Sequence, residues 1–126
     1  MKKILIVDDS QSWINYHFDA IRKIFGNQIE IDTAKSASEA NDKIYENTNN
    51  PYDIILTDMQ MENDYAPLYA GEWLIEQIKN IKSYYKTKII IISATNSIKL
   101  IAEKYNADYI PKYYCKEISN YKEKLS

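Results

Sequence analysis

Two hydrophobic rhythms alternate along the chain. One is a short, unbroken apolar run with polar residues at its end, as in Ile4-Leu5-Ile6-Val7 and Ile89-Ile90-Ile91-Ile92. Such runs suit strands buried on both faces of a parallel sheet, which lose the in-and-out alternation of a half-exposed strand. The other is an apolar stripe at three- and four-residue spacing, the mark of a helix packed on a sheet. Strands are predicted at residues 2–7, 29–34, 52–57, 88–92 and 107–110. The second alternates apolar and polar positions and so belongs at an edge. The fourth is the most apolar and so belongs at the centre.

Helices fill the intervals. The first runs from an N-cap at Ser10 to about Phe25, where Gly26 ends it. Its apolar stripes, through Trp13, Tyr16, Ala20 and Ile24 and through Ile14, Phe18, Ile21 and Phe25, leave His17 between them as a packed histidine. Ser36 or Ser38 caps the second helix, with Glu39 forming a Ser-x-x-Glu box from Ser36, and this helix ends near Asn47. The third runs from about Gly71 to Tyr85, with Trp73, Leu74, Ile78 and Ile81 inward. The fourth runs from about Asn96 to Tyr105, and Asn106 can take the left-handed position after it. The fifth runs from about Tyr114 to Leu125. A long polar and aromatic loop, residues 59–70, carries Glu62, Asp64, Tyr65 and Tyr69. Five strands alternating with five helices predict an α/β fold: a parallel sheet with helices on both faces and right-handed crossovers.

Composition narrows the function. A chain of 126 residues is the size of one domain with one real core, and no second domain is expected. Hydrophobic content of 45% and charged content of 27% describe an ordinary soluble globular protein. A formal net charge of -2 provides no field that would draw the chain to nucleic acid or to anionic lipid. The apolar run at the N-terminus is too short for a signal peptide and stops at two aspartates. No stretch approaches membrane-spanning length. The single cysteine, Cys115, cannot form an internal disulfide, which fits a cytoplasmic protein. With only two glycines, a glycine-rich phosphate loop is excluded. Any phosphate must be held by side chains, a metal and isolated amides.

The candidate chemistry lies at the carboxyl ends of the predicted strands, where open α/β sheets bind their ligands. Asp8 and Asp9 follow the first strand, Asp58 the third, Ser93 and Thr95 the fourth, and Lys112 the fifth. Three carboxylates converging in one cleft repel one another by on the order of 4 kcal/mol per pair at 4 Å and intermediate dielectric. A hard divalent cation, Mg²⁺ above all, would neutralise them through oxygen ligands. Lys112 adds a mobile positive charge and Ser93 a neutral donor. A carboxylate nucleophile, a metal, an ammonium and a hydroxyl together suit in-line phosphoryl transfer onto Asp58.

In these positions the sequence resembles the receiver domain of two-component response regulators. Asp8-Asp9, Asp58, Ser93-Ala94 and Tyr109-Ile110-Pro111-Lys112 match that family in type and order, and the resemblance spans the chain as one stand-alone receiver, residues 1–126, with no output domain. It implies the flavodoxin-like strand order 2-1-3-4-5, an order that chemotaxis receivers exemplify. It implies that Asp8, Asp9, Asp58 and the backbone carbonyl of Gln60 hold Mg²⁺ or Mn²⁺. Asp58 would take its phosphoryl group from a sensor histidine kinase or a phosphotransfer protein, with Lys112 and Ser93 contacting the phosphoryl oxygens. Ser93 and Tyr109 would be the switch pair, turning a surface of helix 4, strand 5 and helix 5 toward a downstream protein. Tyr105, Tyr113 and Tyr114 would add exposed contact area there, on a monomer or a phosphorylation-dependent dimer.

The chain departs from the family pattern at three places. Met61-Glu62 stands where Met-Pro is usual, the loop before Gly71 is longer, and Lys112 is followed by Tyr113 rather than proline. None removes a reacting group. Two other readings compete with the first. An unphosphorylated pseudo-receiver would share the fold and bind partners only. An aspartyl-nucleophile phosphohydrolase of the haloacid-dehalogenase type would need an Asp-x-Asp after the first strand, and Asp8-Asp9-Ser10 lacks that spacing. The expected protein is a phosphoacceptor that autophosphorylates and dephosphorylates with Mg²⁺, not a multiple-turnover enzyme.

Overall fold

The structure, a computed structural model, describes residues 2–61 and 68–126. Its elements follow in the order β1 (Lys2–Val7), α1 (Gln11–Phe25), β2 (Ile29–Ala34), α2 (Ala37–Glu46), β3 (Ile54–Asp58), α3 (Ala70–Lys79), β4 (Lys88–Ser93), α4 (Ile98–Tyr105), β5 (Asp108–Pro111) and α5 (Ile118–Leu125). The sheet order is β2-β1-β3-β4-β5, and every neighbouring pair is parallel. That is the order implied by the resemblance. β2 is at an edge as its alternation required. β4 is paired on both sides, but the middle strand is β3.

The unbroken apolar runs are buried on both faces because successive side chains feed two separate cores. Leu5 and Val7 of β1, Ile55 of β3, and Ile89 and Ile91 of β4 pack under α2, α3 and α4. Ile4 and Ile6, Ile54 and Leu56, and Ile90 and Ile92 pack under α1 and α5. The period-two geometry of a strand divides one hydrophobic run between the two layers.

Helix ends follow local chemistry where caps exist. The Ser10 hydroxyl accepts from the Trp13 amide at 3.3 Å, and the Ser36 hydroxyl accepts from the Glu39 amide at 3.0 Å. Ser36, not Ser38, is therefore the cap of α2, and Glu39 returns a bond to the amide of Lys35 at 3.1 Å. Gly26 has φ +65 and Asn106 is left-handed at φ 53, both as terminators.

Several boundaries differ from the sequence expectation. α3 stops at Lys79 instead of Tyr85, and a 3-10 turn over Lys82–Tyr84 follows. The break turns Tyr84 inward, where its hydroxyl donates to the Ile44 carbonyl at 2.8 Å. The expected start of the fifth helix is likewise a 3-10 turn, Lys112–Lys116, with Cys115 fully buried and its carbonyl accepting from the Tyr16 hydroxyl at 2.8 Å. α4 begins at Ile98, after a turn in which the Thr95 and Ser97 hydroxyls pair at 3.2 Å. β3 starts at Ile54 and includes Asp58 as its last residue. β5 runs from Asp108 to Pro111, where an edge strand can spare an amide. No helix among the described residues is long and apolar enough to cross a membrane.

Candidate functional site

The strand order reverses between β1 and β3, and that switch point is where an open α/β sheet leaves a crevice. Asp8 and Asp9 leave β1 on one side of it and Asp58 ends β3 on the other. Their carboxylates each place an oxygen within 4.8 Å of the others. Asp9 is exposed at the mouth, and Asp8 and Asp58 are buried beneath it.

Asp8 is aimed by the turn that starts α1. One of its oxygens, Oδ1, accepts from the Ser10 amide at 2.9 Å. The other, Oδ2, is buried without a hydrogen-bond partner in the structure. His17 Nε2 and Lys112 Nζ flank it, each at 3.9 Å. Burial pushes the Asp8 carboxyl from its ordinary 3.8 up to about 6, and repulsion from Asp58 and Asp9 adds to this against the Ser10 amide and Lys112. Asp58 is also held above the usual carboxylate range by burial, opposed by Lys112 and by the amides of Gln60 and Met59.

Lys112 begins the 3-10 turn after β5 and reaches back over the sheet. Its Nζ donates to Asp58 Oδ2 at 3.3 Å and lies 5.0 Å from the centre of the Trp13 ring. Ser93 follows Ile92, the strand partner of Asp58, so the register sets it one residue beyond Asp58 along the neighbouring strand. It is buried, and its hydroxyl oxygen accepts from the Thr95 amide at 3.2 Å, which leaves the hydroxyl proton free for another acceptor. Gln60 is exposed beside Asp58, and its amide bonds the Asp58 carboxylate.

Tyr109 is half-buried on β5 opposite Ile91, against the α4-side core, with Lys124 Nζ 5.8 Å from its ring. Tyr113 and Tyr114 are exposed, as expected. Tyr105 is not. It is half-buried, and its hydroxyl faces Glu72 at 3.0 Å and Glu76 at 2.8 Å. Of the long loop, Tyr69 is exposed just before α3, while Glu62, Asp64 and Tyr65 lie outside the described residues.

His17 is buried, with Nδ1 2.7 Å from the Tyr121 hydroxyl and the Trp13 ring stacked at 5.4 Å. Burial, helped by the charge of Lys112, lowers its pKa to about 4, so the imidazole is neutral. Gly71 contributes by having no side chain. Its amide donates to the Met59 carbonyl at 3.0 Å, and a Cβ there would sit 2.4 Å from the Asp58 carbonyl oxygen. Only glycine lets α3 start so close to the end of β3. The contacts of Trp13 with Lys112 and of His17 with Tyr121 join residues far apart in the chain, so no local pattern announced them. Gly71 did carry a signal, as one of only two glycines.

The donor set is oxygen only, with one buried carboxylate oxygen unpaired, and among the described residues Lys112 and a few backbone amides offset the repulsion within it. That chemistry fits a hard divalent cation such as Mg²⁺.

The family model described as response regulator receiver domain matches residues 4–119. Among solved structures, the chain is similar to the phosphorylated cyanobacterial phytochrome response regulator RcpA, at 20% identity and TM-score 0.79 over 99% of this chain and 94% of that one. It is similar to the receiver domain of Francisella response regulator 1452, at 24% identity and TM-score 0.67 over 99% and 93%. It is also similar to the receiver domain of the hybrid histidine kinase CckA, at 20% identity and TM-score 0.66 over 98% and 94%. At such identities these likenesses concern the fold. No curated protein matches the chain.

Proposed function

The chain belongs to the receiver domain family of two-component response regulators, and from that premise we propose that Asp58 is its phosphoacceptor. The observation that carries this reading is the placement of Asp58: a buried carboxylate beside two others within 4.8 Å, with an ammonium at 3.3 Å. The donor is the phosphohistidine of a sensor kinase or of a phosphotransfer protein. An Asp58 oxygen bonds to phosphorus as the phosphorus–nitrogen bond breaks, and the imidazole leaves with the electron pair and takes a proton from water. Lys112 balances the charge on the phosphoryl oxygens, and the free Ser93 proton is donated to one of them.

Asp8, Asp9, Asp58 and the Gln60 carbonyl would hold Mg²⁺ or Mn²⁺. When bound, the cation supplies charge neutralisation for the phosphoryl oxygens and relieves the repulsion among the three carboxylates. Once phosphorylated, Asp58 draws on the Ser93 hydroxyl, and the half-buried Tyr109 ring repacks. This is a shift between two populated packings. It changes the surface of α4, β5 and α5 that a downstream protein, or a second copy of the domain, recognises.

The test is intact-protein mass after incubation with Mg²⁺ and acetyl phosphate. Wild type gains one phosphoryl group, Asp58→Asn gains none, and Asp9→Asn gains it slowly. A full equivalent on Asp58→Asn would refute the assignment. No gain on wild type, with kinase as well as acetyl phosphate, would leave the pseudo-receiver reading. Multiple turnover of phosphate esters would revive the phosphohydrolase.

A further inference from the structure

Lys112 has a long flexible stem, yet its ammonium sits at one place in the cleft, 3.3 Å from Asp58 Oδ2 and 3.9 Å from Asp8 Oδ2. The two carboxylates attract it but leave it free to swing between them, since a lysine ammonium is a point charge without a preferred plane. The third neighbour fixes the direction. The Trp13 ring lies 5.0 Å from Nζ, inside the range of a cation–π contact, and tryptophan offers the strongest face of the aromatic residues.

Trp13 is itself held on several sides. Its amide donates to the Ser10 cap at the start of α1. Its ring stacks on His17 at 5.4 Å and 27° and meets Tyr16 edge-on at 5.6 Å. His17 in turn is fixed by Tyr121 of α5. The indole is therefore a rigid wall of the cleft rather than a mobile surface ring. From this geometry we infer that Trp13 is a positioning residue: its ring face holds the Lys112 ammonium against Asp58 and so sets the rate of phosphoryl uptake. The inference rests on the assignment of Asp58 as phosphoacceptor. Simple packing of α1 would explain the stack with His17 and Tyr16, but not why the lysine charge lies over the ring.

Two measurements test it. The first needs no metal and no phosphate. The Lys112 ε-methylene protons, bonded next to an Nζ 5.0 Å from the indole centre, should shift upfield in the NMR spectrum of wild type and return to ordinary values in Trp13→Leu. Ordinary shifts in wild type would overturn the contact. The second replaces Trp13 by mono-, di- and trifluorinated tryptophan in a Trp73→Phe background. Fluorine withdraws charge from the ring face while leaving its shape nearly intact. Mg²⁺-dependent uptake from acetyl phosphate should slow stepwise with each fluorine, reaching roughly three- to thirty-fold in Trp13→Leu, the range a cation–π contact of ordinary strength covers. Trp13→Phe should recover part of the loss. Equal rates across the fluorinated series would overturn the inference and return Trp13 to packing alone. Absence of uptake in the unfluorinated Trp73→Phe parent and in wild type would instead overturn the Asp58 assignment, and the NMR shift would still decide the contact.

Discussion

Substituting asparagine for Asp8 should make the metal-free domain more stable at neutral pH, although it removes a proposed metal ligand. The Asp8 carboxyl is fully buried, has one oxygen without a hydrogen bond, and is raised from 3.8 to about 6. A raised acid favours folding in its protonated form. Its contribution is complete below the unfolded value and is lost as pH rises through the folded one. At neutral pH the ionised group therefore disfavours folding by about 3 kcal/mol relative to the acid limit. Asparagine cannot ionise and keeps the acceptor for the Ser10 amide, and the value of about 6 already includes the attraction to Lys112. A net gain of about 3 kcal/mol follows, or roughly 10–15 °C in Tm for a domain of this size. The assay is urea unfolding in chelator, followed by tryptophan fluorescence. The gap between variant and wild type should shrink by about half near pH 5, where folded Asp8 already holds its proton. Adding Mg²⁺ should stabilise wild type and reverse part of the gap, since a ligand of the folded state alone adds stability by mass action. A variant no more stable than wild type at neutral pH, or equally favoured at acid pH, would refute the account.

Two further outcomes are expected. His17→Gln should remove an acid-sensitive term: a histidine lowered to about 4 contributes stability above 6.5 that is lost as pH falls toward 4, here about 3 kcal/mol. Urea midpoints between neutral pH and pH 4 should fall less steeply in the variant than in wild type. Gly71→Ala should destabilise by about 1–3 kcal/mol, the range for overpacking, because its Cβ meets the backbone of Asp58 and Met59 at 2.4 and 2.7 Å. The same variant should take up phosphate from acetyl phosphate more slowly, read by mass against time, because the end of β3 must shift.

What the sequence disclosed was what local pattern controls. The apolar runs of β1, β3 and β4 and the polar residues at their ends lie in order along the chain, and parallel topology then brings Asp8, Asp9, Asp58 and Lys112 to one edge. Ser10, Ser36, Gly26 and Asn106 act within a turn of themselves, so the ends they set were also readable. The misread ends of α3 and of the segment before α5 depend on distant partners. Tyr84 leaves the helix pattern to reach Ile44, and Cys115 is pinned by Tyr16. Tyr105 looked like exposed contact surface because nothing nearby in sequence announces Glu72 and Glu76. The contact between Trp13 and Lys112 was hidden for the same reason. It joins the start of α1 to the end of β5, and neither residue's neighbours hint at the other.

The bond from the Gly71 amide to the Met59 carbonyl also makes the domain a natural host for foreign sequence. It clamps the two ends of residues 60–70 together beside Asp58, whatever lies between them. Doubling the length of such a closed segment costs only about 0.6 kcal/mol in chain entropy. Evolution or an engineer can therefore splice in a recognition peptide here, next to Asp58, provided that Gly71 and the end of β3 are left alone.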